Sequence, residues 1–171
     1  KRHRRFYNVK DYINTCFKDY TNEKYAAEGT VWYLYSNDAL ENIKSFNSDA
    51  KIIAIIRDPA DLLYSLHSTL LKSAQENIKS FSNAWNITLK QKEARKIPDT
   101  CRDGKLLMYH EIGAQGKHIK KLFSLYKKEN IYVTNFNHLT QSTKETLEDI
   151  YEFLEIKAYY LKGYDDINSH E

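Results

Sequence analysis

The sequence predicts an α/β fold with a mainly parallel sheet, and three observations support this prediction. Residues 51–56 form a short, continuous apolar run rich in β-branched side chains, which is typical of a strand buried on both faces. Leucines recur at helical spacing directly after this run, from residue 62 to residue 71. A second strand-like run, at residues 130–136, is again followed by a helical pattern. Short strands that alternate with helices favour parallel pairing.

The remaining segments predict further helices. Residues 38–46 have a helical pattern, with Asn37 as the expected N-cap, and residues 110–126 have another. The Ser-Thr-Lys-Glu sequence at 142–145 is a capping box, which predicts the start of a helix. Residues 73–100 are polar with few apolar anchors, so we expect loops and helical pieces there.

Composition limits the class of protein. A chain of 171 residues fits one domain, so we expect a single domain over 1–171. The net charge of +3 suits a site for a small anion better than a nucleic-acid groove. No apolar run approaches the ~18 residues of a membrane span. Cys16 and Cys101 have no metal-ligand spacing, which favours a reduced, cytoplasmic protein without a metal and leaves one disulfide as an alternative.

The segment 51–71 carries the most specific chemical signal. Arg57 falls at the carboxyl end of the first predicted strand, where open α/β sheets bind ligands, and Ser65 lies eight residues later on the following helix. A guanidinium and a hydroxyl that converge in this way can hold one phosphate, with the helix N-terminus near Pro59 adding a favourable dipole. Spacing alone leaves another interpretation open, in which Arg57 forms a surface ion pair with Asp58 or Asp61.

The string RDPADLLYS, residues 57–65, resembles the 3′-phosphate-binding motif of the sulfotransferase superfamily. Other segments resemble that family in its order, most closely its bacterial and carbohydrate-type branch: residues 28–36, 107–113, 130–156 and 166–169. The resemblance implies a P-loop-NTPase-like three-layer fold with a mainly parallel central sheet flanked by helices. It also implies transfer of a sulfuryl group from PAPS (3′-phosphoadenosine 5′-phosphosulfate) to a hydroxyl or amine, with PAP as product and no metal. The implied acceptor is a glycan or similar small molecule.

Site residues follow from the same resemblance. Arg57 and Ser65 correspond to the residues that bind the 3′-phosphate of the donor. His3 and Glu28 are the candidates for the catalytic base, although His3 could belong to a frayed basic terminus and Glu28 could brace a following strand. The acceptor-binding candidates are Thr30, in the 28–36 segment, and Tyr109, in a region that helps line the acceptor cleft.

Two departures from the family pattern limit these expectations. The K-x-G-T-T-like loop that grips the 5′-phosphosulfate is absent, and residues 113–117 do not replace it because no Ser or Thr follows Lys117. Gly29 stands where the family has a lysine. We therefore expect a sulfotransferase-like domain truncated at both ends. The alternatives are a non-catalytic nucleotide- or glycan-binding module and, less favoured without a Walker motif, a nucleotide-dependent phosphotransferase.

Overall fold

The computed structural model describes residues 8–90 and 96–159. Within these ranges the chain forms eight α-helices, two β-strands and two short 3-10 helices. The helices are α1 (Val9–Cys16), α2 (Ala39–Phe46), α3 (Pro59–Lys72), α4 (Phe81–Lys90), α5 (Tyr109–Gly113), α6 (Gln115–Leu125), α7 (Phe136–Gln141) and α8 (Thr143–Leu154). The strands are β1 (Ile52–Ile56) and β2 (Ile131–Asn135), and the 3-10 helices are Gly104–Leu107 and Lys128–Asn130.

The two strands pair in parallel, which confirms the predicted sheet type. Ile52 lies opposite Ile131 and Ile56 lies opposite Asn135, so both strands end at the same edge. Helices α3 to α6 connect the two strands, as a parallel pair requires a long crossover. The residues that follow the strands, Arg57 and Phe136, therefore meet at the carboxyl edge of the sheet.

Two apolar clusters hold the helices in place. The first lies among α3, α4 and α5, and its buried members are Leu63, Leu70, Ala84, Leu107, Tyr109 and Ile112. The second joins α2 and α6 to the sheet, and its buried members are Leu40, Ala54, Leu122, Tyr126 and Ile131. Burial of these side chains is the main driving force for fixing helices around a short sheet. These contacts cover one face of β1. On its other face Ile53 is 39% exposed and Ile55 is 48% exposed in the described part of the chain, so the prediction that this strand is buried on both faces is wrong.

The helix predicted over 110–126 is interrupted. The chain forms α5 up to Gly113 and α6 from Gln115, with a break at Ala114, where φ is −77° and ψ is 47°. A Cβ atom at Gly113 would lie 2.9 Å from Cδ1 of Leu63, so α3 and α5 approach closely at this glycine. The break and this close approach lie side by side, and helical periodicity can show neither of them.

The two predicted helix caps also differ from the structure. The N-cap of α2 is Asp38 rather than Asn37, and the Ser36 hydroxyl accepts the amide of Ala39 at 3.1 Å. Helix α8 begins as the capping box predicted, but the Ser142 side chain forms no cap hydrogen bond. Ser142 also ends α7, so its backbone (φ −129°, ψ 52°) does not take the extended form of a capping serine.

The buried hydroxyl of Tyr126 provides a stability test of the second cluster. It donates to the carbonyl oxygen of Leu40 at 2.9 Å. Tyr126→Phe removes this buried hydrogen bond, so we expect the free energy of unfolding in urea to fall by about 0.5–1.5 kcal/mol. The exposed Tyr20, whose hydroxyl donates to the Glu23 carbonyl at 3.0 Å, supplies the control. Tyr20→Phe should change stability by less than ~0.5 kcal/mol, and equal losses would contradict the assignment.

Candidate functional site

Arg57 is the first residue beyond β1, and its backbone is fixed by one side chain. The Arg57 amide donates to Oε1 of Gln115 at 3.0 Å, and its carbonyl oxygen accepts from Nε2 of Gln115 at 2.6 Å. Gln115 is buried, with 7% of its surface exposed, and is the first residue of α6. The amide therefore ties the exit of β1 to the start of α6.

The guanidinium of Arg57 lies over an aromatic ring. Its Cζ atom is 4.8 Å from the ring centroid of Phe136, the first residue after β2. This distance is within the range of a cation–π contact. The Nε atom of Arg57 is buried and has no hydrogen-bond partner among the residues that the structure describes. A buried guanidinium nitrogen without an acceptor is costly, and an anionic ligand would supply one.

The carboxylate next to Arg57 in the sequence, that of Asp58, caps a helix. Oδ1 of Asp58 accepts the amides of Ala60 at 2.9 Å and Asp61 at 3.2 Å, which makes Asp58 the N-cap of α3. Over residues 8–90 and 96–159, Arg57 forms no ion pair with Asp58 or Asp61, so the alternative interpretation of Arg57 is not what the structure shows. The cap also occupies the N-terminus of α3, whose dipole we had expected to attract the ligand.

Ser65 lies two turns into α3. It is seven residues after Asp58, and at about 3.6 residues per turn it returns to nearly the same side of the helix. That side begins at the exit of β1, next to Arg57. Ser65 is half-buried, and its hydroxyl makes no hydrogen bond to a described residue, whereas its carbonyl oxygen accepts from the Thr69 hydroxyl at 3.0 Å. The Ser65 hydroxyl is thus available to a ligand.

Glu28 and Thr30 lie in an exposed segment. The Tyr33 hydroxyl donates to Oε1 of Glu28 at 2.9 Å, and the Thr30 carbonyl accepts the Tyr33 amide at 3.3 Å. Residues 31–35 form turns, so Glu28 braces a turn and not the strand we had expected after it. Burial raises the pKa of Tyr33 to about 12, and the hydrogen bond to Glu28 acts in the same direction.

Tyr109 lies in the core. None of its surface is exposed, and its hydroxyl donates to Oε2 of the buried Glu76 at 2.8 Å. Its ring contacts the rings of His67 and Phe81 edge to face. In this conformation Tyr109 supports the packing of α3, α4 and α5 and is not available to an acceptor. The resemblance that suggested an acceptor contact marks the region, but this side chain points into the protein.

Comparisons with known proteins identify the family. A sequence profile described as "Sulfotransferase domain" matches residues 36–168, more than three quarters of the chain. The chain belongs to the sulfotransferase domain family. The curated 3-alpha-hydroxysteroid sulfotransferase of Cavia porcellus is 28% identical over 109 residues, which cover 64% of this chain and 32% of that protein.

A solved structure supports the fold. The crystal structure of a sulfotransferase from Alicyclobacillus acidocaldarius has a TM-score of 0.77 with this chain at 19% identity. The match covers 96% of the present chain and 62% of the chain in that crystal structure. The predicted P-loop-NTPase-like three-layer fold is thereby confirmed. The chain spans about a third of the curated relative that it matches and less than two thirds of the solved structure.

Of the predicted site residues, Arg57 lies at the carboxyl end of β1 and Ser65 lies two turns into α3, whereas His3 lies outside the described residues. The structure adds Gln115 and Phe136 as side chains that contact Arg57. Phe136 could have been found from the sequence, since it follows the second predicted strand as Arg57 follows the first. Gln115 carries no such signal. The described part of the chain contains no cluster of three or more metal-ligand side chains and no helix suited to cross a bilayer.

The Tyr33–Glu28 hydrogen bond gives a pH prediction. A raised pKa means that the neutral hydroxyl stabilises the folded state below the ordinary value of 10.0, and this contribution is lost as the pH rises through about 12. Glu28→Gln removes the negative charge, so the pKa of Tyr33 should fall part of the way towards 10.0. Absorbance titration near the tyrosinate band, with Tyr33→Phe to identify the signal, measures it. An unchanged pKa in Glu28→Gln contradicts the prediction.

Proposed function

We propose that this chain carries the 3′-phosphate site of a PAPS-dependent sulfotransferase, in which Arg57 and Ser65 bind the donor. The observation that carries the proposal is Arg57 itself: its Nε is buried at the carboxyl edge of the sheet without a partner among the described residues. A site with this donor and no paired carboxylate fits an anion. The family match supports the same chemistry.

A phosphate ester suits these two side chains. Arginine stays charged at all physiological pH values and presents several donors in one plane, and the serine hydroxyl adds a neutral hydrogen bond. The 3′-phosphate distinguishes PAPS and PAP from ATP and other nucleotides that lack it. Arg57 and Ser65 would therefore select the donor as well as bind it. When bound, PAPS supplies the sulfuryl group and PAP is the product.

The residues of this chain would orient the reactants and move one proton. Transfer to a hydroxyl or amine requires a base within hydrogen-bond reach of the acceptor proton. Glu28 and His3 are the proposed candidates for this base, and Glu28 is exposed with its carboxylate oriented by Tyr33. Thr30, also exposed, is the proposed acceptor contact. The proposed acceptor is a glycan or similar small molecule, which the exposed 28–36 segment could meet.

A cytoplasmic location belongs to the same proposal. Cys16 is exposed and Cys101 is half-buried, and both are free thiols. Free thiols are the usual state in a reducing compartment. This observation supports the location without bearing on the choice of acceptor.

A second function is favoured by Gly29, which stands where the family has a lysine. A Cβ atom at Gly29 would meet no other atom within 4 Å, so steric crowding does not explain the glycine. A domain that binds PAP or a glycan without catalysing transfer would tolerate the loss of that cation. The alternative is therefore a non-catalytic nucleotide- or glycan-binding module.

Binding of PAP tests the donor site. We compare adenosine 3′,5′-bisphosphate with adenosine 5′-monophosphate by calorimetry on this chain. Arg57→Ala removes a charge-assisted contact to the 3′-phosphate, so the affinity for the bisphosphate should fall about ten- to a hundredfold, or roughly 1.5–3 kcal/mol, with little change for the monophosphate.

The matched control is Arg102→Ala. Arg102 is exposed. Its backbone amide donates to Oε1 of Gln75 at 3.3 Å, and its guanidinium makes no hydrogen bond to a residue that the structure describes. This variant removes the same charge at a distance from β1 and should bind both nucleotides as the wild type does. Equal affinity of the wild type for the two nucleotides would refute the proposed donor site.

Measurement of turnover distinguishes the proposed enzyme from the non-catalytic binding module. We expect PAP to accumulate from PAPS only when an acceptor from a panel of sugars, phenols and amines is present. Accumulation should fall at least tenfold in Arg57→Ala at subsaturating PAPS because the donor is then bound more weakly. Chromatographic measurement of PAP over time provides the readout. Tight PAP binding with no PAP formed for any acceptor would favour the non-catalytic module.

A further inference from the structure

The position of Arg57 raises the question of what fixes its backbone. Pairing between β1 and β2 ends at Ile56 and Asn135, so Arg57 lies one residue past the last paired position. Backbone groups beyond the end of a ladder usually bond to water or to side chains. In this protein both polar backbone groups of Arg57 bond to one side chain, the amide of Gln115.

This contact has the hydrogen-bond pattern of one residue pair in a β-sheet. A glutamine amide offers a carbonyl acceptor and an amino donor side by side, which complements the donor and acceptor of one backbone residue. The two distances, 3.0 Å and 2.6 Å, show that both bonds are made at once. Since Gln115 is buried, the amide has little water to exchange with, and the pairing fixes its orientation.

The other end of the contact is rigid. Gln115 opens α6, and the same helix carries Leu122, which has no exposed surface, and Ile119, which packs against the second cluster. The backbone of Arg57 is thus attached to a helix that cannot shift without disturbing the core. With the backbone fixed, the guanidinium lies over Phe136 and its Nε stays without a partner among the described residues.

We propose that Gln115 is a positioning residue for Arg57, holding the backbone so that the guanidinium is presented to the 3′-phosphate before the donor binds. The inference rests on the proposed function, because it assumes that Arg57 binds that phosphate. Gln115 itself does not touch the donor. Its contribution should therefore appear only in the part of the affinity that the 3′-phosphate supplies and only while Arg57 is present.

Different substitutions at residue 115 separate the parts of the contact. Gln115→Met keeps a similar length and removes both hydrogen bonds to Arg57. Gln115→Glu keeps the acceptor for the Arg57 amide, loses the donor to its carbonyl, and adds a negative charge that opposes a phosphate. Gln75 offers a matched control, since its Oε1 also accepts the backbone amide of an arginine, Arg102, at 3.3 Å.

The test is a double-mutant cycle on the ratio of affinities for adenosine 3′,5′-bisphosphate and adenosine 5′-monophosphate. We expect Gln115→Met to lower this ratio roughly three- to tenfold in the wild-type background and to leave it unchanged in Arg57→Ala. Gln115→Glu should lower it at least as much, and Gln75→Met should not alter it. The melting temperature of each variant identifies loss of fold, which would weaken binding of both nucleotides alike.

The outcomes are distinguishable. If Arg57→Ala leaves the ratio unchanged, the proposed function fails and the positioning role fails with it. If Arg57→Ala lowers the ratio but Gln115→Met does not, or if Gln115→Met lowers it equally in both backgrounds, only the positioning role is overturned. Hydrogen exchange of the Arg57 amide in the wild type requires no variant. Slow exchange is expected, and a rapidly exchanging amide would overturn the contact.

Discussion

Parallel pairing of β1 with β2 is the constraint on which the candidate site depends. The register places Ile56 opposite Asn135, so the next residues of the two strands, Arg57 and Phe136, emerge side by side. A slip of one residue would reverse the face of every side chain on one strand and separate the guanidinium from the ring. The buried apolar residues of the sheet, Ala54 and Ile131, favour this register because they belong to one apolar cluster.

The second condition is that no carboxylate is paired with Arg57 in the described part of the chain. Asp58, its neighbour in the sequence, caps α3 with Oδ1 instead. An external anion at Arg57 would therefore meet no ion-paired competitor. A paired arginine at the same position would have to break its ion pair before binding.

Local signals explain which parts could be predicted. β1, β2 and α3 follow from short apolar runs and leucine spacing, and Arg57 and Ser65 follow from their position on those elements. The break at Ala114 and the close approach of Gly113 to Leu63 beside it could not be predicted, because contacts between helices leave no mark on the periodicity of one helix. The burial of Tyr109 likewise involves the rings of His67 and Phe81, which lie on other helices. The contact of Gln115 with Arg57 joins residues 58 apart and has no counterpart in periodicity or motif.

The contacts of Arg57 with Gln115 and Phe136 can be understood from the entropic cost of orienting an arginine side chain. A free arginine side chain loses roughly 2 kcal/mol of rotamer freedom when it is fixed, and a binding reaction that includes this ordering is weakened accordingly. In this protein the ordering occurs during folding: an uncharged amide holds the backbone of Arg57 and an aromatic ring supports its guanidinium. Neither neighbour carries a negative charge. The positive charge is therefore held in place but not neutralised, and both properties favour the binding of an anion.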